Sequence, residues 1–259
     1  MKKFLLTLSV TFVALSAFFM TSCQKDDPDA ISTSDVEKGI QIIKGKDGKE
    51  YKVVNLGLPS RNLWATCNIG ASNPEETGSF FAWGETASKS TFRWDNYKWG
   101  ERLELTKYCL DEEKGDVDGK YVLELSDDAA NSIMGQGWQI PSKDDFTELL
   151  SSRNCDKKWC KLNGVGGFLF TSIKKGYEGN SLFIPLSGMK DYEKERFQGQ
   201  YGYYWCNEIY YDNINKKYLS TESCALWLEH LEDVDNKLVD YRTRYLGLPI
   251  RPVYVEEWE

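Results

Sequence analysis

Histidine is nearly missing from this chain, with His230 the only one among 259 residues. A Ser-His-Asp arrangement would hang on that single side chain, which stands in Leu228-Glu229-His230-Leu231, a setting that reads as a strand end. Structural zinc prefers paired cysteine knuckles or histidines, so the shortage leaves metal chemistry without a ligand set, and neither metal nor cofactor is expected. Basic charge is also in deficit, with 32 Lys and Arg against 40 Asp and Glu. The basic clusters, such as Lys157-Lys158, are short and have acids nearby. An acidic surface repels phosphate backbones, which argues against a nucleic-acid partner. After residue 20 no apolar run is long enough to span a bilayer. Neither a repeat of fixed period nor a low-complexity tract occurs.

What is present begins with Lys2-Lys3, followed by the apolar run Phe4 to Met20 and small residues, the layout of an export signal. Thr7, Ser9, Thr11 and Ser16 interrupt the run, which makes it a poor permanent span. Met20-Thr21-Ser22-Cys23 resembles the lipobox of bacterial lipoproteins, which implies cleavage before Cys23 and its lipidation. Several acyl chains on one cysteine give stable anchoring, because each buried methylene contributes about 0.8 kcal/mol. Gln24-Lys25-Asp26-Asp27 resembles the acidic export signal of Bacteroidetes surface lipoproteins, which implies lipid anchoring in the outer membrane with display at the cell surface.

The expected organisation is a signal peptide over 1–22, a lipidated N-terminus and flexible tether over 23–39, and one domain over 40–259. Removing a signal with two lysines and no acids leaves 30 basic and 40 acidic residues, a net charge of −10. Hydrophobic residues make up 41% and aromatics 14%, enough for a packed core.

Six cysteines follow Cys23: Cys67, Cys109, Cys155, Cys160, Cys206 and Cys224. Outside the cytoplasm they permit disulfides in fifteen connectivities. Cys155–Cys160 would close a small loop, and Cys206–Cys224 would clip a hairpin.

Ile40-Gln41-Ile42-Ile43 and Tyr51-Lys52-Val53-Val54 flank Asp47-Gly48, a hairpin signal. Two helices are expected next. Ser126 caps the first and Gly135 ends it, while Ser142 and Asp145 form a capping box on the second. Phe146, Leu149 and Leu150 then mark one buried face. After Asn154 the pattern changes to short strands: Phe168–Ser172, Leu182–Leu186, Tyr201–Asn207, Cys224–His230, Lys237–Tyr241 and Leu248–Val255. Early helices and late hairpins together read as an α+β fold.

Several segments in order resemble the Fibrobacter succinogenes major paralogous domain family of secreted and lipid-anchored bacterial proteins. They are Val54-Asn55-Leu56-Gly57-Leu58-Pro59-Ser60, Leu63 to Ala71 (LWATCNIGA), Phe81-Ala82-Trp83-Gly84-Glu85-Thr86 and Asp127-Asp128-Ala129-Ala130. Gly137-Trp138-Gln139-Ile140-Pro141, Gly202-Tyr203-Tyr204-Trp205 and Pro249-Ile250-Arg251-Pro252-Val253 complete the set, which covers about 200 residues. The resemblance implies a C-type-lectin-like fold, with two short helices flanking a small antiparallel sheet and a loop-rich region. The family's serine-rich stretch is replaced here by Cys206-Asn207-Glu208.

Sugar-binding C-type lectins hold calcium with Glu-Pro-Asn or Gln-Pro-Asp and Trp-Asn-Asp, and neither set occurs. Asp116-Val117-Asp118-Gly119 and Glu232–Asn236 offer only part of the six to eight oxygens calcium takes, and read as polar turns. Aromatics are the remaining candidates. Trp64, Trp83 and Trp138 are expected in the core. Tyr210, Tyr211, Asn213, Asn215 and Trp227 are expected to contact a ligand from the late loops, since Tyr and Asn suit adaptable recognition. The function these readings favour is a non-catalytic binding or adhesion module for a glycan or protein. Its rivals are a polysaccharide hydrolase and a structural subunit of a surface or fimbrial assembly.

Overall fold

The apolar alternation on either side of Asp47-Gly48 becomes a hairpin in the computed structural model, which describes residues 27–230 and 240–256. The expected signal segment, Cys23, the Glu232–Asn236 turn and positions 237–239 of an expected strand lie outside the described residues. Those described include sixteen strands in five sheets. In chain order they begin with β1 (Ala30–Ile31), β2 (Ile40–Lys44), β3 (Glu50–Val54), β4 (Leu63–Ala65), β5 (Gly100–Glu101) and β6 (Glu104–Leu105). Next come β7 (Trp138–Gln139), β8 (Cys155–Leu162), β9 (Val165–Ser172), β10 (Ser181–Pro185) and β11 (Met189–Asp191). The series ends with β12 (Lys194–Arg196), β13 (Tyr201–Asp212), β14 (Lys217–Glu229), β15 (Asp240–Thr243) and β16 (Val253–Tyr254).

The central sheet runs β2-β3-β4-β16-β7, so a strand from the far end of the chain lies inside the sheet that the first hairpin begins. All three residues of β4 are buried. Neighbouring residues on a strand face opposite ways, and here both faces are covered. Val53, Leu63, Ala65 and Trp138 join one apolar cluster with Trp83, Trp205 and Ile250. Val54, Trp64 and Val253 join a second with Phe146, Phe170 and Leu226. A strand buried on both sides carries a continuous apolar run rather than an alternation, which is why Leu63-Trp64-Ala65 has no strand signature. The sheet β13-β14-β15 divides in the same way: Tyr203 and Trp205 enter the first cluster, Tyr204 and Cys206 the second. The indole of Trp83 donates to the Cys206 carbonyl (2.8 Å) and that of Trp205 donates to the Phe81 carbonyl (2.7 Å), a reciprocal tie between two distant segments.

The α+β expectation, with two helices flanking a small sheet in a lectin-like arrangement, is overturned. Among the described residues strand accounts for 39% and helix for 11%, with only one helix of seven or more residues. The fold is mostly β. Capping signals mark where helices begin but not how long they run. Here α1 (Ala129–Met134) stops after six residues at Gly135, whose φ of 109° suits glycine. Its cap is Asp128 rather than Ser126, which precedes it in a 3₁₀ turn, Leu125–Asp127.

α2 (Lys143–Leu150) carries the capping box: Ser142 Oγ accepts from Asp145 N (3.1 Å), and Asp145 Oδ2 accepts from Ser142 N (2.8 Å). Glu208, in the segment that departs from the family pattern, accepts from Lys143 N at the same helix end (2.9 Å). Ser142→Ala should cost about 1 kcal/mol, and an unchanged chemical unfolding midpoint would show that the cap contributes nothing.

The second sheet, β1-β8-β9-β10, changes the reading of the tether. From Asp27 onward the supposed flexible segment is docked: β1 pairs in parallel with β8, and Ile31 and Val36 cover Cys160, Leu162, Leu169 and Phe183. Lys161 anchors it through Asp27 (2.8 Å). Two apolar side chains in a mostly polar segment read as linker, yet they close a small core. The expected strand over Leu248–Val255 shrinks to Val253–Tyr254, since Pro249 and Pro252 have no N–H to give a ladder.

Two arginines are sealed inside with no carboxylate partner among the described residues. Arg251 donates to Asn68 Oδ1 (2.8 Å) and to the carbonyls of Ala65, Thr66 and Pro74. Arg244 donates to Tyr97 Oη (2.9 Å) and to the carbonyls of Tyr108, Ser220 and Lys107.

Candidate recognition surface

β13 and β14 are the longest strands described, and their turn, Asn213–Lys216, is built by one carboxylate. Asp212 Oδ1 accepts from Ile214 N (2.8 Å) and Asn215 N (3.2 Å), and Oδ2 accepts from the Asn215 amide (2.6 Å). The Asn215 side chain, with these backbone donors, holds the Asp212 carboxyl below its usual pKa. Lys216 takes a left-handed φ of 52°, which completes the reversal. Ile214 at the tip is 91% exposed.

Just behind the turn, the register sets Tyr211 opposite Tyr218. Their rings meet edge to face at 5.0 Å, and Tyr218 stacks on Tyr121 at 5.1 Å. The segment carrying Tyr121 is pinned by Ile209 N donating to the Tyr121 carbonyl and Leu123 N to the Asn207 carbonyl, each 2.8 Å. Tyr121 is 46% exposed and Tyr211 36%. Burial pushes the Tyr218 hydroxyl pKa up, so that ring stays neutral at physiological pH. Tyr218 also lines an open depression of about 660 Å³ with Leu110, Asp111, Glu112, Glu113 and Lys217. Three adjacent rings beside carboxylates can stack on a flat apolar face and accept hydrogen bonds from hydroxyls.

Of the five residues expected to contact a ligand, the structure gathers three. Tyr211, Asn213 and Asn215 lie together at this end. Tyr210 and Tyr211 belong to β13 rather than to a loop, and Tyr210 packs against the second core and Tyr241 (4.9 Å). Trp227 sits opposite Tyr203, nine residues along β14 from Tyr218 and so about 30 Å away. Arg242 stacks over Tyr203 (4.1 Å) and Trp227 (5.4 Å). Sequence reasoning missed Tyr121 and Tyr218. Closing the hairpin over Asn213–Lys216 would have paired Tyr218 with Tyr211, but no local signal brings in a tyrosine ninety residues upstream.

The other candidates fall into structural roles. Asp118 accepts from Tyr108 N (2.8 Å), Cys109 N (3.0 Å) and Lys120 N (3.1 Å), so its oxygens hold a turn together. His230 stacks face to face on Trp159 at 3.9 Å at the end of β14. Among the described residues, no three His, Cys, Asp or Glu side chains converge as metal ligands. Cys155 and Cys160 lie on opposite faces of β8, about 16 Å apart along the strand. A disulfide needs Cα atoms within about 7 Å, so that pairing is excluded. Cys206 and Cys224 lie one register step from the Trp205–Ala225 pair, in the same core cluster. Both are buried, as is Cys109, and all six thiols, with Cys67, are free.

No protein family model, no curated protein and no solved structure matches this chain.

Proposed function

We propose that this chain is a lipid-anchored, surface-displayed binding module, without catalytic activity, that takes a glycan at the hairpin end of β13 and β14. The supporting observation is the run Tyr211–Tyr218–Tyr121, exposed at both ends and continuous with a carboxylate-lined depression. Rings in contact with one another are already ordered, so stacking a sugar on them costs little side-chain entropy. Membership of the Fibrobacter succinogenes major paralogous family is part of the proposal and rests on the ordered motif segments.

Tyr121→Ala and Tyr211→Ala should each weaken glycan binding by about 2 kcal/mol, roughly thirtyfold. Glycan-array screening followed by calorimetry measures this, with circular dichroism to check folding. Folded variants that bind as tightly as the parent would place the ligand elsewhere. Ile214, exposed beside Tyr211, favours a protein ligand as a second reading. If Ile214→Asp abolishes adhesion to a protein-coated surface while the array stays blank, that reading replaces the first.

The anchor is tested separately. Cys23→Ala should leave the signal uncleaved at that site and the N-terminus without acyl chains, read by mass spectrometry of the membrane-extracted protein. A variant still processed and still membrane-bound would refute lipidation.

A further inference from the structure

The docking of β1 leaves very little chain between the folded body and the proposed lipid. Backbone pairing holds the segment: Lys161 N donates to the Asp29 carbonyl (2.8 Å), and Ala30 N donates to the Asp27 carbonyl (3.0 Å). The partly exposed Asp27–Lys161 ion pair adds little. Ile31 and Val36 add more, because lifting the segment would return their apolar surface and that of the small core beneath to water. Between Asp27 and Cys23 lie Gln24, Lys25 and Asp26. At the reach of an extended chain, Cys23 therefore stands ~14 Å at most from Asp27. A free tether over 23–39 would have reached ~55 Å.

The link joins the body at one end of the β13–β14 hairpin. Asp27 pairs with Lys161, and Trp159, two residues back on the same face of β8, stacks on His230 at 3.9 Å. His230 directly follows the last residue of β14, Glu229. From there back to Tyr218 the strand runs ~40 Å, so the tyrosine face lies at the opposite end from the link. With 30 basic against 40 acidic residues after signal removal, the body is repelled by anionic headgroups. The short link opposes that repulsion at one end, and nothing opposes it at the other. We infer that, given lipidation at Cys23, the β1–β8 edge and the His230 end of β14 are held at headgroup level on an anionic lipid surface. The β13–β14 hairpin then carries its tyrosine face away from that surface, at a stand-off set by the fold rather than by a tether.

Energy transfer to the bilayer tests this. A donor dye is placed on Ala30→Cys or on Ile214→Cys, both exposed positions, in a Cys67→Ser background where the other described cysteines are buried. The acylated full-length protein is reconstituted in phosphatidylcholine–phosphatidylglycerol vesicles that carry a headgroup-labelled acceptor lipid, and circular dichroism checks each variant. Transfer from Ala30 should be at least about fivefold faster than from Ile214, since the link keeps one within ~20 Å of the surface and β14 sets the other ~40 Å off. A spacer of about 20 Gly and Ser residues after Asp26 adds ~25 Å of mean reach and should slow transfer from Ala30 several-fold. Equal transfer from the two positions in the acylated protein overturns the orientation. A spacer that leaves Ala30 unchanged overturns the link as its cause. Mass spectrometry separates these results from failure of the anchor: protein recovered without acyl chains overturns the lipidation reading, and this inference with it.

Discussion

Arg244→Met is expected to lower the unfolding free energy by about 4 kcal/mol, because it orphans several buried acceptors at once. The guanidinium is fully buried and ties together segments far apart in the chain. It donates to the carbonyls of Lys107 (3.1 Å) and Tyr108 (3.0 Å) on one side and Ser220 (2.8 Å) on another. It also donates to Tyr97 Oη, and its central carbon lies 4.8 Å from the centre of the Trp83 ring. Methionine fills much of the volume but leaves three carbonyls facing apolar surroundings. Lysine fails for a different reason: its three hydrogens leave one point, whereas the planar fork of arginine reaches acceptors on separate segments. Arg244→Lys should therefore recover less than half of the loss. Urea unfolding of parent and variants measures both, and a methionine variant within about 1 kcal/mol of the parent would show that the network is dispensable.

Asp128→Ala should cost about 3 kcal/mol, more than a typical helix cap, because three buried amides lose their acceptor together. Asp128 Oδ1 accepts from Ala130 N (2.8 Å) and Asn131 N (3.1 Å), which caps α1. Oδ2 accepts from Ile140 N (2.8 Å), beyond the far end of β7. One carboxylate thus fastens a helix start to the strand that follows it, at 2% exposure, where water offers little substitute. Asp128→Asn keeps one oxygen but turns an amide nitrogen toward a donor, so it should recover only part of the loss. Thermal and urea denaturation decide it. An alanine variant within about 0.5 kcal/mol of the parent would mean that these amides find other acceptors.

The Asp128 network shows how far local reading reaches. A capping residue near Asp127-Asp128 is visible from residue types alone, and the helix does start there. Choosing Asp128 over Ser126 required knowing that Ile140 N comes within reach, a contact twelve residues away. The Ser142–Asp145 box, closed within three residues, was fully legible. The same limit explains β8: Cys155–Leu162 mixes three lysines with buried Cys160 and Leu162, and its apolar residues match neither period cleanly. It becomes a strand because β9 pairs with it over eight positions.

The candidate site divides in the same way. Tyr211, Asn213 and Asn215 were legible because a turn rich in Asn and Asp gathers its own neighbours. Trp227 was misplaced because strand pairing carries it about 30 Å from Tyr218. Tyr121 entered only through its backbone pairing with Ile209.

By itself the sequence determined what acts within a few residues or through composition alone: the Asp47-Gly48 hairpin, the Ser142 cap, the acidic charge and the apolar content of the core. Tertiary structure alone decided that the chain is mostly β, that its late strand β16 completes the first sheet, and that residues from Asp27 are docked. It also decided which three tyrosines touch and which arginines are sealed. The physical reason is range. Caps and turns are satisfied by groups already nearby in the chain. A two-sided sheet and a buried guanidinium are stabilised only when segments a hundred residues apart exclude water together.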